Sequence, residues 1–186
     1  MKVTIILGSP RLDSNSEKLA KAAAAALTGP LEPPEVFKLN ELRYRGCQAC
    51  MGCKTKKEFC VIRDDLTRVL SSAAGADFVI ITAPIYIGAI SSQLKGFIDR
   101  SYSWFNPDFL NNPVPSRLKS GKKLLFIVTQ GNPDVGTYRP DIENYLGYFA
   151  SHGFKTAPFF APIGDANLEK TKPGLLEEVV KVAQAL

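Results

Sequence analysis

Short apolar runs, each followed by a stretch of helical period, succeed one another along the whole chain. Residues 2–7 are β-branched and apolar at successive positions, as a strand buried on both faces requires. Residues 14–27 are alanine-rich and predict a helix stopped by Gly29 and Pro30. After a proline-rich link, residues 35–39 predict a second strand. Residues 40–60 follow neither period and predict a loop. Asp64 or Asp65 is placed to cap a helix that runs to Ala74. Residues 77–83 predict a third strand, ended by Pro84. Residues 91–104 predict a helix with Phe97, Ile98 and Tyr102 on or near one face, and a Pro- and Asn-rich loop follows at 106–115. Residues 123–129 and 154–160 predict two more strands. Residues 140–152, closed by Gly153, and residues 175–186 predict the last helices.

Strands without a polar face, each leading into a helix, predict a parallel sheet covered on both sides. Five such units make one doubly wound α/β domain over residues 1–186, with strand order still to be assigned. There is no internal repeat and no linker. In such sheets ligands sit at the carboxyl ends of the strands. The loops after Leu7, Thr82 and Thr129 are therefore the places where chemistry is expected.

Composition changes this picture little. The chain is 45% hydrophobic and 22% charged, which excludes disordered and fibrous classes. A net charge of +5 is spread out, with one local run at Lys54, Lys56 and Lys57. It predicts a mildly basic solvated surface, or one that attracts an anionic ligand. No basic stripe is interleaved with aromatics, so a nucleic-acid partner is not expected. No stretch approaches transmembrane length, and residues 3–7 are too short for a signal-peptide core. A cytoplasmic protein with reduced thiols is expected.

The first strand-end loop runs from Gly8 to Ser16. Ser14, Asn15 and Ser16 supply donors at a helix N-terminus, where free N–H groups and the helix dipole favour an anion. Ser9 and Arg11 add a hydroxyl and a fixed positive charge. The set can cradle a terminal phosphate, or it can simply cap the helix with Arg11 in solvent. It is neither a P-loop nor a dinucleotide fingerprint, because no Gly-Lys-Ser/Thr follows and only Gly8 is present. The second loop carries Pro84, Ile85, Tyr86, Ile87 and Gly88. It predicts a flat apolar surface for a planar ring, unless its isoleucines and tyrosine belong to the core. The third carries Thr129, Gln130 and Gly131, with polar contacts and close backbone approach. Pro133 and Asp134 read as an ordinary turn. His152 is placed to cap a helix C-terminus. Arg117, Lys119, Lys122 and Arg139 read as solvated charges. Trp104 and Phe105 read as core or interface.

The cysteines are the most concentrated signal. All four in the chain, Cys47, Cys50, Cys53 and Cys60, fall in the spacing C-x2-C-x2-C-x6-C. Such spacing can bring four thiolates together. Gly46 and Gly52 allow the loop to fold around a guest. A cluster, free redox-active thiols and zinc all remain open on this spacing.

Three motifs together resemble the NADPH-dependent FMN reductase and iron–sulfur flavoprotein family: G-S-P-R-x-x-S-N-S from Gly8, A-P-I-Y-x-G-x-x-S-x-x-L-K-x-F-I-D-R from Ala83 to Arg100, and the cysteine loop ending C-V-I-x-D-D. The resemblance implies a flavodoxin-like fold with strand order 2-1-3-4-5. It implies that Ser9, Arg11, Ser14, Asn15 and Ser16 bind the phosphate of FMN. Pro84, Ile85, Tyr86, Ile87 and Gly88 would run beside the ring, and Thr129, Gln130 and Gly131 would close the site. No catalytic side chain is required, because the hydride chemistry belongs to the flavin. The implied activity is an FMN-dependent oxidoreductase. It would take electrons from NAD(P)H or a carrier and pass them to a flavin, quinone, other small acceptor or redox protein. Cys47, Cys50, Cys53 and Cys60 map onto the ligands of a [4Fe–4S] cluster in relatives that hold one. The rivals are an iron–sulfur electron carrier, and a nucleotide-binding domain with structural zinc. A homodimer or homotetramer is the expected assembly.

Overall fold

The structure is a computed structural model and describes residues 1–27, 32–55, 59–163 and 174–186. Gly29 and Pro30, the expected stop of the first helix, lie outside these residues, as do Lys56 and Lys57. Five parallel strands form the sheet: β1 (Val3–Leu7), β2 (Glu35–Lys38), β3 (Phe78–Tyr86), β5 (Lys122–Gln130) and β6 (Phe154–Pro162). The spatial order is β2-β1-β3-β5-β6, and a two-residue strand β4 (Ala89–Ile90) pairs antiparallel with the end of β3. Apart from that extra strand, this is the expected flavodoxin-like order.

The layers follow from the apolar strands. On one face Val3, Ile5, Leu7, Ile80 and Ile127 pack against α1 (Asn15–Ala25) and α6 (Leu175–Ala185). On the other, Ile6, Val79, Ile81, Phe126 and Val128 pack against α3 (Leu66–Gly75), α4 (Ser92–Ser101) and α5 (Arg139–Ala150). Alternate residues of the central strands thus belong to opposite cores, which is why those strands show no polar face. Among the described residues, no helix is long and apolar enough to cross a membrane.

One boundary differs from expectation. Pro84 does not end β3, which continues to Tyr86. The β1 partner stops at Thr82, so at Pro84 the parallel sheet has a neighbour only in β5. A residue without an N–H is tolerated where one side needs no partner. Beyond it, Tyr86 and Ala89 pair around a two-residue turn with φ of +47° at Ile87 and +77° at Gly88. Positive φ at both central positions is the type I′ hairpin geometry. A β-branched residue there is strained by about 1–2 kcal/mol, and Ile87 is fully exposed.

The long loop between β2 and α3 holds a 3-10 turn (Leu39–Glu41) and one turn of helix, α2 (Gly52–Thr55). After α4 comes a second 3-10 turn (Tyr102–Trp104), and Trp104 is core.

Candidate functional site

The carboxyl ends of β1, β3 and β5 open into one cleft of about 500 Å³. Its floor is tied together by the first loop. The Gly8 amide donates to Thr82 O (3.1 Å) and Thr82 Oγ1 (3.2 Å). Ser91 Oγ donates to Gly8 O at 2.6 Å and accepts from the Leu94 amide at 3.3 Å, joining this loop to the start of α4. A Cβ on Gly8 would sit 2.5 Å from Thr82 O, so only glycine allows this approach. Ser14 caps α1 by accepting from the Glu17 amide at 3.2 Å, and its hydroxyl lies 3.0 Å from that of Ser16. Arg11 is exposed, and its amide donates to Ser9 Oγ at 3.2 Å.

Eleven of the thirteen cleft residues named from the sequence line this one cavity: Ser9, Arg11, Ser14, Asn15, Ser16, Pro84, Ile85, Tyr86, Thr129, Gln130 and Gly131. Ile87 and Gly88 do not line it; they form the hairpin tip beyond Tyr86. Ile163 lines it too, placed by its amide donating to Gln130 O at 2.7 Å. Nothing local in the sequence marks Ile163, because its position depends on where β6 ends. Ser91 and Thr82, which hold the floor, are likewise visible only through hydrogen bonds across long sequence separations.

Gln130 is the most informative side chain here. It is buried, and its Nε2 donates to Asn132 O (2.8 Å) and Asp134 O (2.9 Å). Its Oε1 is buried with no partner, although it belongs to a residue of the cleft wall. A buried acceptor left without a donor costs about 1–3 kcal/mol, so the wall is prepared for a guest that brings an N–H or O–H. Among the described residues, no carboxylate, histidine or lysine lines the cleft.

The second candidate is the cysteine loop. Cys47, Cys50, Cys53 and Cys60 are all free thiols, and all line one largely apolar cavity of about 180 Å³ with Arg100 and Tyr102. The loop is shaped by buried cations. Lys54 Nζ donates to Tyr102 O (2.8 Å) and Phe105 O (2.7 Å) and lies 4.2 Å from the Tyr102 ring centre. Arg117 donates to Ser103 O (2.6 Å) and Cys53 O (3.1 Å). Arg100 is about 1% exposed; it donates to both oxygens of Asp64 at 2.6 Å and to Ile62 O at 2.9 Å. Burial pushes the Cys53 thiol up, against the pull of Lys54 and Arg117. Burial likewise lowers the Lys54 ammonium.

Among the described residues, no three His, Cys, Asp or Glu side chains are placed to hold a metal ion. A four-iron cluster is held by four thiolates around a body of iron and sulfide, so its ligands ring a cavity. Ala49 and Met51, flanking Cys50, have φ of +50° and +54°. Left-handed residues within a turn aim backbone N–H groups inward and form the concave nests found at many iron–sulfur sites.

Other expectations are revised. Arg117 and Lys122 are not solvated: the first braces the cysteine loop, and the second is buried with its ammonium on Ala76 O. His152 does not cap α5 with its side chain. It is buried beside Phe105 and Trp104, with Nδ1 3.0 Å from Ser116 Oγ, and burial lowers its pKa to about 4. Asp64 caps α3 as expected, accepting from the Leu66 amide at 3.2 Å, and it and Asp65 also accept from the Arg45 amide (3.1 Å) and the Arg43 amide (2.8 Å), tying the loop to α3.

The family model described as NADPH-dependent FMN reductase matches residues 1–137. An iron-sulfur flavoprotein of Methanosarcina thermophila is 39% identical over 65% of this chain and 63% of its own. The match therefore leaves more than a third of that relative unaccounted for. An iron-sulfur flavoprotein of Archaeoglobus fulgidus is 35% identical over 91% of this chain and 75% of its own. Among solved structures, an NAD(P)H:quinone oxidoreductase from Methanothermobacter marburgensis superposes with a TM-score of 0.71 at 16% identity, covering 99% of this chain and 96% of that one. That likeness is one of fold.

Proposed function

We propose that this chain, which belongs to the NADPH-dependent FMN reductase family, binds FMN in the strand-end cleft and passes electrons from NAD(P)H or a redox carrier to a small acceptor such as a flavin or quinone. The observation that carries the reading is the cleft itself. A capped helix N-terminus, an exposed arginine, an apolar strand exit and an orphaned buried acceptor meet in one cavity.

FMN supplies hydride chemistry when bound. The chain supplies the setting. Ser9, Ser14, Asn15 and Ser16, with Arg11 at the rim, would hold the phosphate at the start of α1, where the helix dipole favours an anion. Pro84, Ile85 and Tyr86 on one side, with Thr129, Gln130 and Gly131 on the other, would flank the ring. Gln130 Oε1 would accept from the imide N–H of the ring. The described wall residues would bind and orient the ring and exclude water.

Titration with FMN and with riboflavin tests the site. FMN is expected to bind much more tightly than riboflavin, and Arg11→Ala is expected to erase most of that difference. Equal affinities for the two in the wild type refute the phosphate assignment. Rapid oxidation of NADPH by the pure FMN-loaded protein supports a reductase; reduction only through a carrier supports an electron-transfer protein.

The four thiols around one cavity, with left-handed backbone on both sides of Cys50, favour a second cofactor. The reading assigns a [4Fe–4S] cluster to Cys47, Cys50, Cys53 and Cys60. Iron and acid-labile sulfide in protein purified without oxygen test it: about four of each per chain support it, and none removes it. A cytoplasmic homodimer or homotetramer completes the reading, and light scattering on a sizing column tests the assembly.

A further inference from the structure

Arg100 carries a donor that nothing in the protein satisfies. It sits in the last turn of α4, about 1% exposed. Its two terminal nitrogens are committed to the Asp64 carboxylate and to the carbonyls of Ile62 (2.9 Å) and Arg45 (3.2 Å). Its Nε is buried with no partner. The same side chain lines the cysteine cavity. Cys60 lines the same cavity. An unpaired buried N–H is rare in folded proteins, and each one calls for an explanation.

We propose that Arg100 is a positioning and tuning residue for the cluster: its free Nε–H donates to a sulfur of the [4Fe–4S] group and raises the cluster's reduction potential. The inference rests on the cluster reading above. Reduction places one electron, and so one more negative charge, on the cluster in a cavity with few polar atoms. A fixed donor beside it stabilises the more negative state more than the oxidised one. Hydrogen bonds to the sulfurs are among the factors that set such potentials. The Asp64 carboxylate holds the guanidinium in one orientation from behind, so Nε needs no rearrangement when the electron arrives.

The test uses the whole protein purified without oxygen. Iron and sulfide are assayed first, and dithionite titration is then followed by electron paramagnetic resonance of the reduced cluster. Arg100→Lys keeps a positive charge and removes Nε–H. The variant is expected to retain wild-type iron and sulfide, with its cluster accepting the electron about tenfold less readily, a fall of about 59 mV for a one-electron couple. An assembled cluster with an unchanged potential overturns the proposal. Should the variant not fold, the wild type decides alone. Protein grown with 15N-arginine is expected to show a nitrogen coupling to the reduced cluster in pulsed resonance spectra, and absence of that coupling overturns the proposal. Wild-type protein without iron and sulfide overturns it by removing the cluster reading itself, and the assay separates that failure from a cluster present but insensitive to Arg100.

Discussion

The strand-end cleft and the cysteine cavity are both built from loops, but they are held open by different means. The cleft is made by regular structure. Three strands end together, a helix begins, and the Gly8 amide takes the place of a ladder bond to Thr82. The cysteine cavity is made by long side chains. Lys54, Arg100 and Arg117 reach from their own segments to backbone carbonyls of others. A loop held by the sheet has little freedom to collapse; a loop held by three cations depends on each of them. Stability should therefore be concentrated differently in the two regions.

The largest effect is expected from Arg100→Leu. It leaves the Asp64 carboxylate without its charged partner and the Arg45 carbonyl without this donor, and breaking a buried pair in this way costs about 3–5 kcal/mol. Urea unfolding measures the loss. Riboflavin and FMN affinities of the folded fraction should be unchanged; a parallel fall would mean that the two regions form one cooperative unit. Next comes His152, which lies in the aromatic cluster beneath the cysteine loop. Its folded pKa of about 4 is below the ordinary 6.5, so the unfolded chain binds a proton the folded one refuses. Its contribution is complete above pH 6.5 and is lost as pH falls towards 4, by up to about 3 kcal/mol. Urea midpoints across that range should show the slope in wild type, and His152→Gln should flatten it.

Gly8→Ala tests the cleft. The added methyl meets the Thr82 carbonyl, which is backbone and cannot swing aside. A loss of about 1–3 kcal/mol is expected, together with weaker FMN binding and unchanged iron content. The smallest effect is that of Ser14→Ala, which removes the α1 cap at about 1 kcal/mol. It should lower FMN affinity through the lost hydroxyl and leave riboflavin binding nearly as it was. Equal weakening of both ligands would detach Ser14 from the phosphate.

These two regions also differ in how far the sequence foretells them. The cleft was almost fully legible, because strand ends follow from apolar runs and the fold places them side by side. What escaped were Ser91, Thr82 and Ile163, whose roles depend on partners far along the chain, and the β3–β4 hairpin. Pro84 read as a strand end although the local sheet edge permits it inside β3. The cysteine loop was legible only as a spacing. Periodicity says nothing of a segment without regular structure, so Arg117 looked like a solvent charge; Lys122, at the start of β5, did too because its partner Ala76 O lies far along the chain, at the end of α3. The carbonyl partners of Arg117 are set by loop paths that no local pattern encodes. His152 looked like a helix cap for the same reason: its neighbours Phe105 and Ser116 come from another segment.

The cysteine loop is held through backbone carbonyl oxygens: Lys54 reaches out to those of Tyr102 and Phe105, and Arg100 and Arg117 reach in to those of Arg45, Ile62 and Cys53; carbonyls belong to every residue type alike. Replacing a thiol leaves Lys54, Arg100 and Arg117 with all their carbonyl partners. The loop can thus be inherited as a shape apart from its sulfurs. On such a frame a lineage can lose a metal-binding cysteine, or acquire one, by single substitutions that the surrounding fold does not oppose.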